Sequence, residues 1–289
     1  MQQIEPRLAG HADVGDQHLR RRGAGIEFGG QRPYVPGDDL RFLDRRSLLR
    51  HDRLMVREFE TDTDRAVWLC LDTSASMTYR GPKAPGAKLA YAALLAAACA
   101  RIAVAGHDPV GLAWLGVSRA SDGVASPPGF GTATFERIVD GLERVEAGGD
   151  LGAKLDELDM QLALFARRAR RGSVILLFSD FLDVPDEAIR RVAAVANGRV
   201  LIAVQVLDPV EVELGFSGKV LLRAMEGSGR VTTDADRVRD EYKRRLEEHT
   251  GRWRRAIEGE GGRLLRASSG EDAIGAVRRI VQAVAEVRA

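Results

Sequence analysis

Cysteine is nearly missing from this chain. Cys70 and Cys99 are the two in 289 residues, both inside apolar runs, so no disulfide framework is expected and both read as buried free thiols. An excess of one charge is missing as well. The formal net charge is +1, from 43 Lys+Arg against 42 Asp+Glu, which excludes a global field drawing in nucleic acid or an anionic membrane. Lysine is scarce (Lys83, Lys88, Lys154, Lys219 and Lys243), and we read the arginine bias as coding preference rather than a binding role. The five histidines are scattered, no Cys/His pair has zinc-type spacing, and no Gly-x-Ser-x-Gly elbow occurs. The longest apolar run, residues 89–100, ends at Arg101 and is too short and Ala-rich to span a bilayer. No charged-then-apolar leader opens the chain. Together these absences lead us to expect a soluble, cytoplasmic protein without a membrane span.

What is present centres on one stretch, Ala66-Val67-Trp68-Leu69-Cys70-Leu71-Asp72-Thr73-Ser74-Ala75-Ser76. A short unbroken apolar run is the mark of a strand buried on both faces of a parallel sheet. An acid and hydroxyls follow it directly, at the strand end where open α/β sheets place their ligand sites. Asp72, Ser74 and Ser76 offer one carboxylate and two hydroxyls, the hard oxygen donors that magnesium accepts. The same residue types also cap a following helix, so metal loop and capping turn both stand on spacing alone.

Along the rest of the chain, apolar runs alternate with helical patterns. Strands are expected at 110–115, 173–178, 200–207 and 263–266, with helices at 87–105, about 134–145, 152–170, 185–196, 235–258 and 271–287. Residues 118–131, with Pro127-Pro128-Gly129, read as a loop, and 220–224 with 230–232 as an edge hairpin. Upstream, 26–37 is extended and turning, Asp38 starts a helix to about residue 50, and 54–60 alternates as a strand. Arg20-Arg21-Arg22 and the Arg167–Arg171 cluster read as solvated faces and a helix end, with no nucleic acid expected as a partner. The alternation predicts a doubly wound, mostly parallel, Rossmann-type three-layer α/β fold with right-handed crossovers. Residues 1–60 form an N-terminal extension packing on the core, and 61–289 the α/β domain.

Ser179-Asp180 closes a second buried run, as Asp72 closes the first. If the two strands are neighbours, their acids share one crevice and repel unless a cation compensates them. Magnesium or manganese answers that problem.

Several stretches carry a resemblance. The Asp72-Thr73-Ser74-Ala75-Ser76 loop resembles the metal-ion-dependent adhesion site of von Willebrand factor A domains. More narrowly, Arg32-Pro33-Tyr34-Val35-Pro36-Gly37-Asp38-Asp39-Leu40-Arg41, Asp44, Leu54-x-Val56-Arg57-x-Phe59-Glu60 and Phe178-Ser179-Asp180-Phe181-Leu182-Asp183 are similar to the bacterial domain-of-unknown-function 58 family. The resemblance implies a von Willebrand factor A-like domain and a MoxR-type AAA+ ATPase, or its client proteins, as partner. It also implies a metal site with Asp72, Ser74 and Ser76 in its first loop and Asp180 in its third. The second loop departs from the pattern: Gly148-Gly149 is followed by Asp150 instead of a threonine, and Asp150 would have to substitute. The family's Asp-Trp pair reads Asp44-Arg45 here.

The function expected is a non-enzymatic interaction module in which a partner's carboxylate completes the ion. Two other readings stay open. Asp72 could serve a magnesium-dependent phosphoryl-group hydrolase as nucleophile, although the second acid such enzymes place two residues on is here Ser74. The chain could also be a scaffold whose ion site has decayed.

Overall fold

The computed structural model describes residues 26–33, 55–61, 65–116, 123–148, 155–182, 184–223, 225 and 229–288. The chain divides into two compact units, Met1–Thr63 and Asp64–Ala289. In the first, β1 (Ile26–Pro33) and β2 (Met55–Thr61) pair antiparallel from Ile26↔Thr61 to Pro33↔Met55, with a bulge between Phe28 and Gly30. The helix expected after Asp38 lies outside the described residues.

The second unit is built on a six-stranded sheet. In chain order its strands are β3 (Val67–Asp72), β4 (Val110–Leu115), β5 (Val124–Gly129), β6 (Val174–Ser179), β7 (Val200–Leu207) and β10 (Arg263–Ser268). A separate hairpin, β8 (Lys219–Arg223) with β9 (Arg230–Asp234), precedes β10 in the chain. The spatial order is β10-β7-β6-β3-β4-β5, parallel throughout except for β5 at the edge. This is the doubly wound, mostly parallel α/β arrangement that the alternation of runs predicts.

Two layers of helices cover the sheet because alternate strand residues face opposite sides. Val67, Leu69 and Leu71 point into one cluster with α1 (Lys88–Ala105), α2 (Gly131–Arg144) and α7 (Ala273–Arg288). Trp68 and Cys70 point into the other, with α3 (Leu155–Arg168), α4 (Asp186–Ala194) and α6 (Ala235–Gly259). There the Trp68 ring meets Phe165 edge-on at 5.3 Å. Cys70 and Cys99 are buried and unbridged, and burial pushes both thiols well up, as expected of inert core cysteines.

Two differences from the sequence reading have physical reasons. Residues 124–129 are a strand in spite of Pro127 and Pro128, because β5 is an edge strand whose outer side needs no donors. Helix α1 is not covered all round: Leu94 and Ile102 are exposed, while Leu95, Ala96 and Ala100 are fully buried.

Chain order reverses between β3 and β6. From β3 the chain moves to β4 and β5 on one side, then returns to β6, β7 and β10 on the other. Connections diverge at such a point, opening a crevice beyond the carboxyl ends of the two strands. Asp72 and Ser179-Asp180 stand there.

Candidate functional site

Asp72 is the last residue of β3 and is 1% exposed. Its Oδ1 accepts a hydrogen bond from the Ser74 amide at 2.8 Å, and its Oδ2 accepts from the Ser179 hydroxyl at 2.5 Å. Pairing of β3 with β6, which runs as far as Leu71↔Phe178, brings Ser179 level with Asp72. The chain then turns in a short 3-10 segment, Ala75–Thr78, which keeps Ser74 and Ser76 on one side with their hydroxyl oxygens 3.1 Å apart. Thr73 faces the other way, donating through its hydroxyl to the Leu115 carbonyl at 2.8 Å and so tying the loop to β4. The Thr73 carbonyl accepts from the Gly148 amide at 2.9 Å, which brings the start of the Gly-Gly segment to the same rim. Asp150 itself lies outside the described residues.

Asp180, one residue beyond β6, has another kind of partner. The Lys88 ammonium lies 2.7 Å from Asp180 Oδ2 and 2.6 Å from Glu211 Oε1, and Lys88 is fully buried. Asp180 Oδ1 accepts from the Leu182 amide at 3.0 Å. Glu211 belongs to the short helix α5 (Pro209–Glu213), which Asp208 caps through a reciprocal pair: Asp208 Oδ1 accepts from the Val210 amide and Glu211 Oε2 from the Asp208 amide. Asp208 Oδ2 also accepts from the Gly81 amide at 2.8 Å. A Cβ on Gly81 would come within 2.3 Å of Asp208 Oδ1, so glycine is required for the loop to pass this close to the end of β7.

The backbone after Asp180 is held tightly. Phe181 takes a left-handed φ of 57° that a bulky residue adopts only under constraint. The constraints are visible: the Phe181 amide donates to Ser179 Oγ, Gln205 Nε2 donates to the Asp180 carbonyl, and His249 Nε2 lies 2.6 Å from the Phe181 carbonyl. The Phe181 ring packs on Trp253 at 4.5 Å.

These two acids differ in electrostatics. Burial, reinforced by the charge of Asp180, pushes the Asp72 carboxyl up to about 7, although its hydrogen bonds from Ser179 and Ser74 pull the other way. Burial also works against the Lys88 charge, but Asp180 and Glu211 outweigh it and raise its pKa, so the ammonium stays charged. Burial raises Glu211 in spite of Lys88. The crevice therefore holds three acids and one built-in cation.

Of the sequence-derived set, then, Asp72, Ser74 and Ser76 come together as one oxygen-lined loop. Asp180 reaches the same rim but is bound to Lys88. Lys88, Glu211 and His249 are additions that the sequence reading missed. Lys88 had a signal: a cation in the first turn of a helix opposes the macrodipole and calls for a carboxylate partner. Among the described residues no cluster of three or more His, Cys, Asp or Glu side chains forms a cation cage, so a metal here would depend on hydroxyl oxygens.

A family model described as protein of unknown function DUF58 matches residues 30–252. An uncharacterized protein of Mycobacterium tuberculosis is 31% identical over 263 residues, covering 90% of this chain and 80% of its own length. Among solved structures, an aerotolerance-related membrane protein from Bacteroides fragilis aligns at 17% identity with a TM-score of 0.50, over 77% of this chain and 99% of that one. A von Willebrand factor type A protein from Catenulispora acidiphila aligns at 11% identity with a TM-score of 0.44, over 81% of this chain and 44% of its own.

The expected cytoplasmic location is corrected by the Bacteroides fragilis structure, which is named a membrane protein. The fold is shared with a membrane protein, and the polar surface of an α/β body does not report whether that body is anchored to a membrane. Among the described residues α1 is long and apolar enough to cross a membrane, and 56% of it is buried inside the fold. The family model and the mycobacterial relative each span most of the sequence, and on that ground the chain belongs to the DUF58 family.

Proposed function

We propose that this chain is a non-enzymatic protein-interaction module whose contact point is the crevice between the ends of β3 and β6. In this reading Ser74 and Ser76, with Asp72 behind them, hold a divalent cation, Mg2+ or Mn2+, and a carboxylate of the partner completes the contact. The observation that carries it is the hydroxyl pair beside a buried acid at the point of reversal. Metal–oxygen bonds of about 2.1 Å at right angles put neighbouring ligands about 3 Å apart. Ser74 and Ser76 oxygens, 3.1 Å apart, have that spacing.

Charge supports the same reading. Two buried acids lie close enough to repel, Lys88 offsets Asp180, and Asp72 has only neutral donors. A bound divalent ion would supply positive charge and an open position for an acidic group. Asp180 then acts as an outer carboxylate, kept in place by Lys88 and the Leu182 amide. The partner we propose is a MoxR-type AAA+ ATPase or one of its clients. The likeness to a membrane protein of the same fold supports a membrane-associated setting.

Hydrolase chemistry fits less well. The position two residues after Asp72, where such enzymes place a second acid, is Ser74, and Asp72 is 1% exposed. A metal-independent scaffold has one observation in its favour, since Lys88 already neutralises Asp180.

The test is capture of a purified MoxR-type ATPase by the full chain. The ion-bridge reading expects capture with Mg2+, loss of at least about tenfold with EDTA, and a similar loss in Ser74→Ala/Ser76→Ala. Capture that is equal in all three arms would establish the scaffold instead.

A further inference from the structure

The longest helix among the described residues, α6, lies against α4, and between them runs a groove of about 600 Å³ that no residue of the Asp72 loop lines. Its floor is small and apolar, from Ile189, Ala193 and Ala256, and Arg190, Arg252 and Arg255 line it. Arg252 reaches Asp186 at 3.3 Å. Arg190 and Arg255 are exposed and make no ion pair among the described residues. Asp186 and Glu260 also line the groove, Asp186 paired with Arg252, so three guanidinium groups face two carboxylates and the balance over the apolar floor is positive, with Arg190 and Arg255 the groups open to an anion.

We propose that this groove docks an acidic amphipathic segment of a partner protein, with its aliphatic side chains on the Ile189–Ala193–Ala256 floor and its carboxylates on Arg190 and Arg255. Small residues at Ala193, Ala256 and Gly259 allow a peptide backbone to come close, as in helix-in-groove recognition. Nucleic acid fits poorly, because no aromatic side chain lines the groove to stack a base.

The groove is also joined to the first site. An Arg252 Nη2 lies 3.2 Å from His249 Nδ1, and His249 Nε2 lies 2.6 Å from the carbonyl of Phe181, the constrained residue that follows Asp180. An acidic segment drawing Arg252 away from His249 would act on the backbone that carries Asp180. The docking surface itself does not rest on the ion-site reading, and its test is run without divalent ions.

The probe is a fluorescently labelled Leu/Glu amphipathic peptide, titrated into the full chain in EDTA and followed by anisotropy. The same peptide with Gln for Glu, and a single-stranded oligonucleotide, serve as comparison ligands. The Glu peptide is expected to bind, and the Gln peptide at least about tenfold more weakly. Arg190→Glu/Arg255→Glu should lose at least about tenfold in affinity, with Arg190→Gln/Arg255→Gln intermediate and Arg278→Glu on α7 unchanged. Circular dichroism of the variants checks folding, which substitution of exposed side chains should leave intact. No binding of the Glu peptide, equal binding of the two peptides, or oligonucleotide binding that requires the same arginines would each overturn the proposal. Loss of ATPase capture in Asp72→Ala with peptide binding intact would separate this surface from the ion site.

Discussion

Two acids end neighbouring strands of one sheet, and they are handled in opposite ways. Asp180 is paired with a fully buried ammonium, which also holds Glu211. Asp72 is surrounded by an amide and a hydroxyl and carries no cation of its own. A paired charge fixes a backbone in place, whereas burial and the charge of Asp180 leave Asp72 near its point of neutralisation. On the proposed reading, the paired half of the crevice is architecture and the Asp72 half receives the ligand.

Breaking the architectural half should have the largest effect. Lys88→Met strips the cation from two buried carboxylates, and its expected cost is about 3–5 kcal/mol, read as a lower urea midpoint. Asp72→Asn should act in the other direction. In the unfolded chain Asp72 ionises near 3.8, and in the fold only near 7. Between those values the native state keeps a proton that the unfolded state has lost, so stability falls as pH rises through that window. Asn has no such loss, and its gain at about pH 8 should be on the order of 2–4 kcal/mol, vanishing at about pH 4. Thermal melts of both proteins across that range check the sign.

Ser179→Ala sharpens the contrast. It removes the donor to Asp72 Oδ2 and the acceptor of the Phe181 amide, for an expected cost of about 1–3 kcal/mol. It should also move the pH window of Asp72 upward, since a hydrogen bond that favours the carboxylate is gone. At the small end, Arg144→Ala breaks the pair with Asp140, whose side chains are 78% and 60% exposed, and should change stability by no more than about 0.5 kcal/mol. That near-silence would confirm that burial, and not ion pairing as such, makes Lys88 matter.

Much of the fold was legible from runs of apolar residues. β3, β4 and β6 carry unbroken runs, and β7 one interrupted only by Gln205, because both faces of a central strand are covered, and such runs stand out from their polar flanks. β5 was hidden because an edge strand tolerates the prolines and serine that elsewhere signal a loop. In the site, Asp72 and Asp180 were legible from their places after buried runs. Lys88 was not, because its partners lie 92 and 123 residues away and no local spacing joins them. His249 escaped for the same reason: scattered in the sequence, it meets Phe181 across 68 residues.

The central proposal is that the Asp72–Ser74–Ser76 loop receives a divalent cation. Calorimetric titration of Mn2+ into the purified chain at about pH 8, where Asp72 is mostly ionised, tests it most directly. We expect one site per chain in the wild type and none in Ser74→Ala/Ser76→Ala, with Lys88 left in place. Absence of binding heat in the wild type, or binding that survives loss of both hydroxyls, would contradict it.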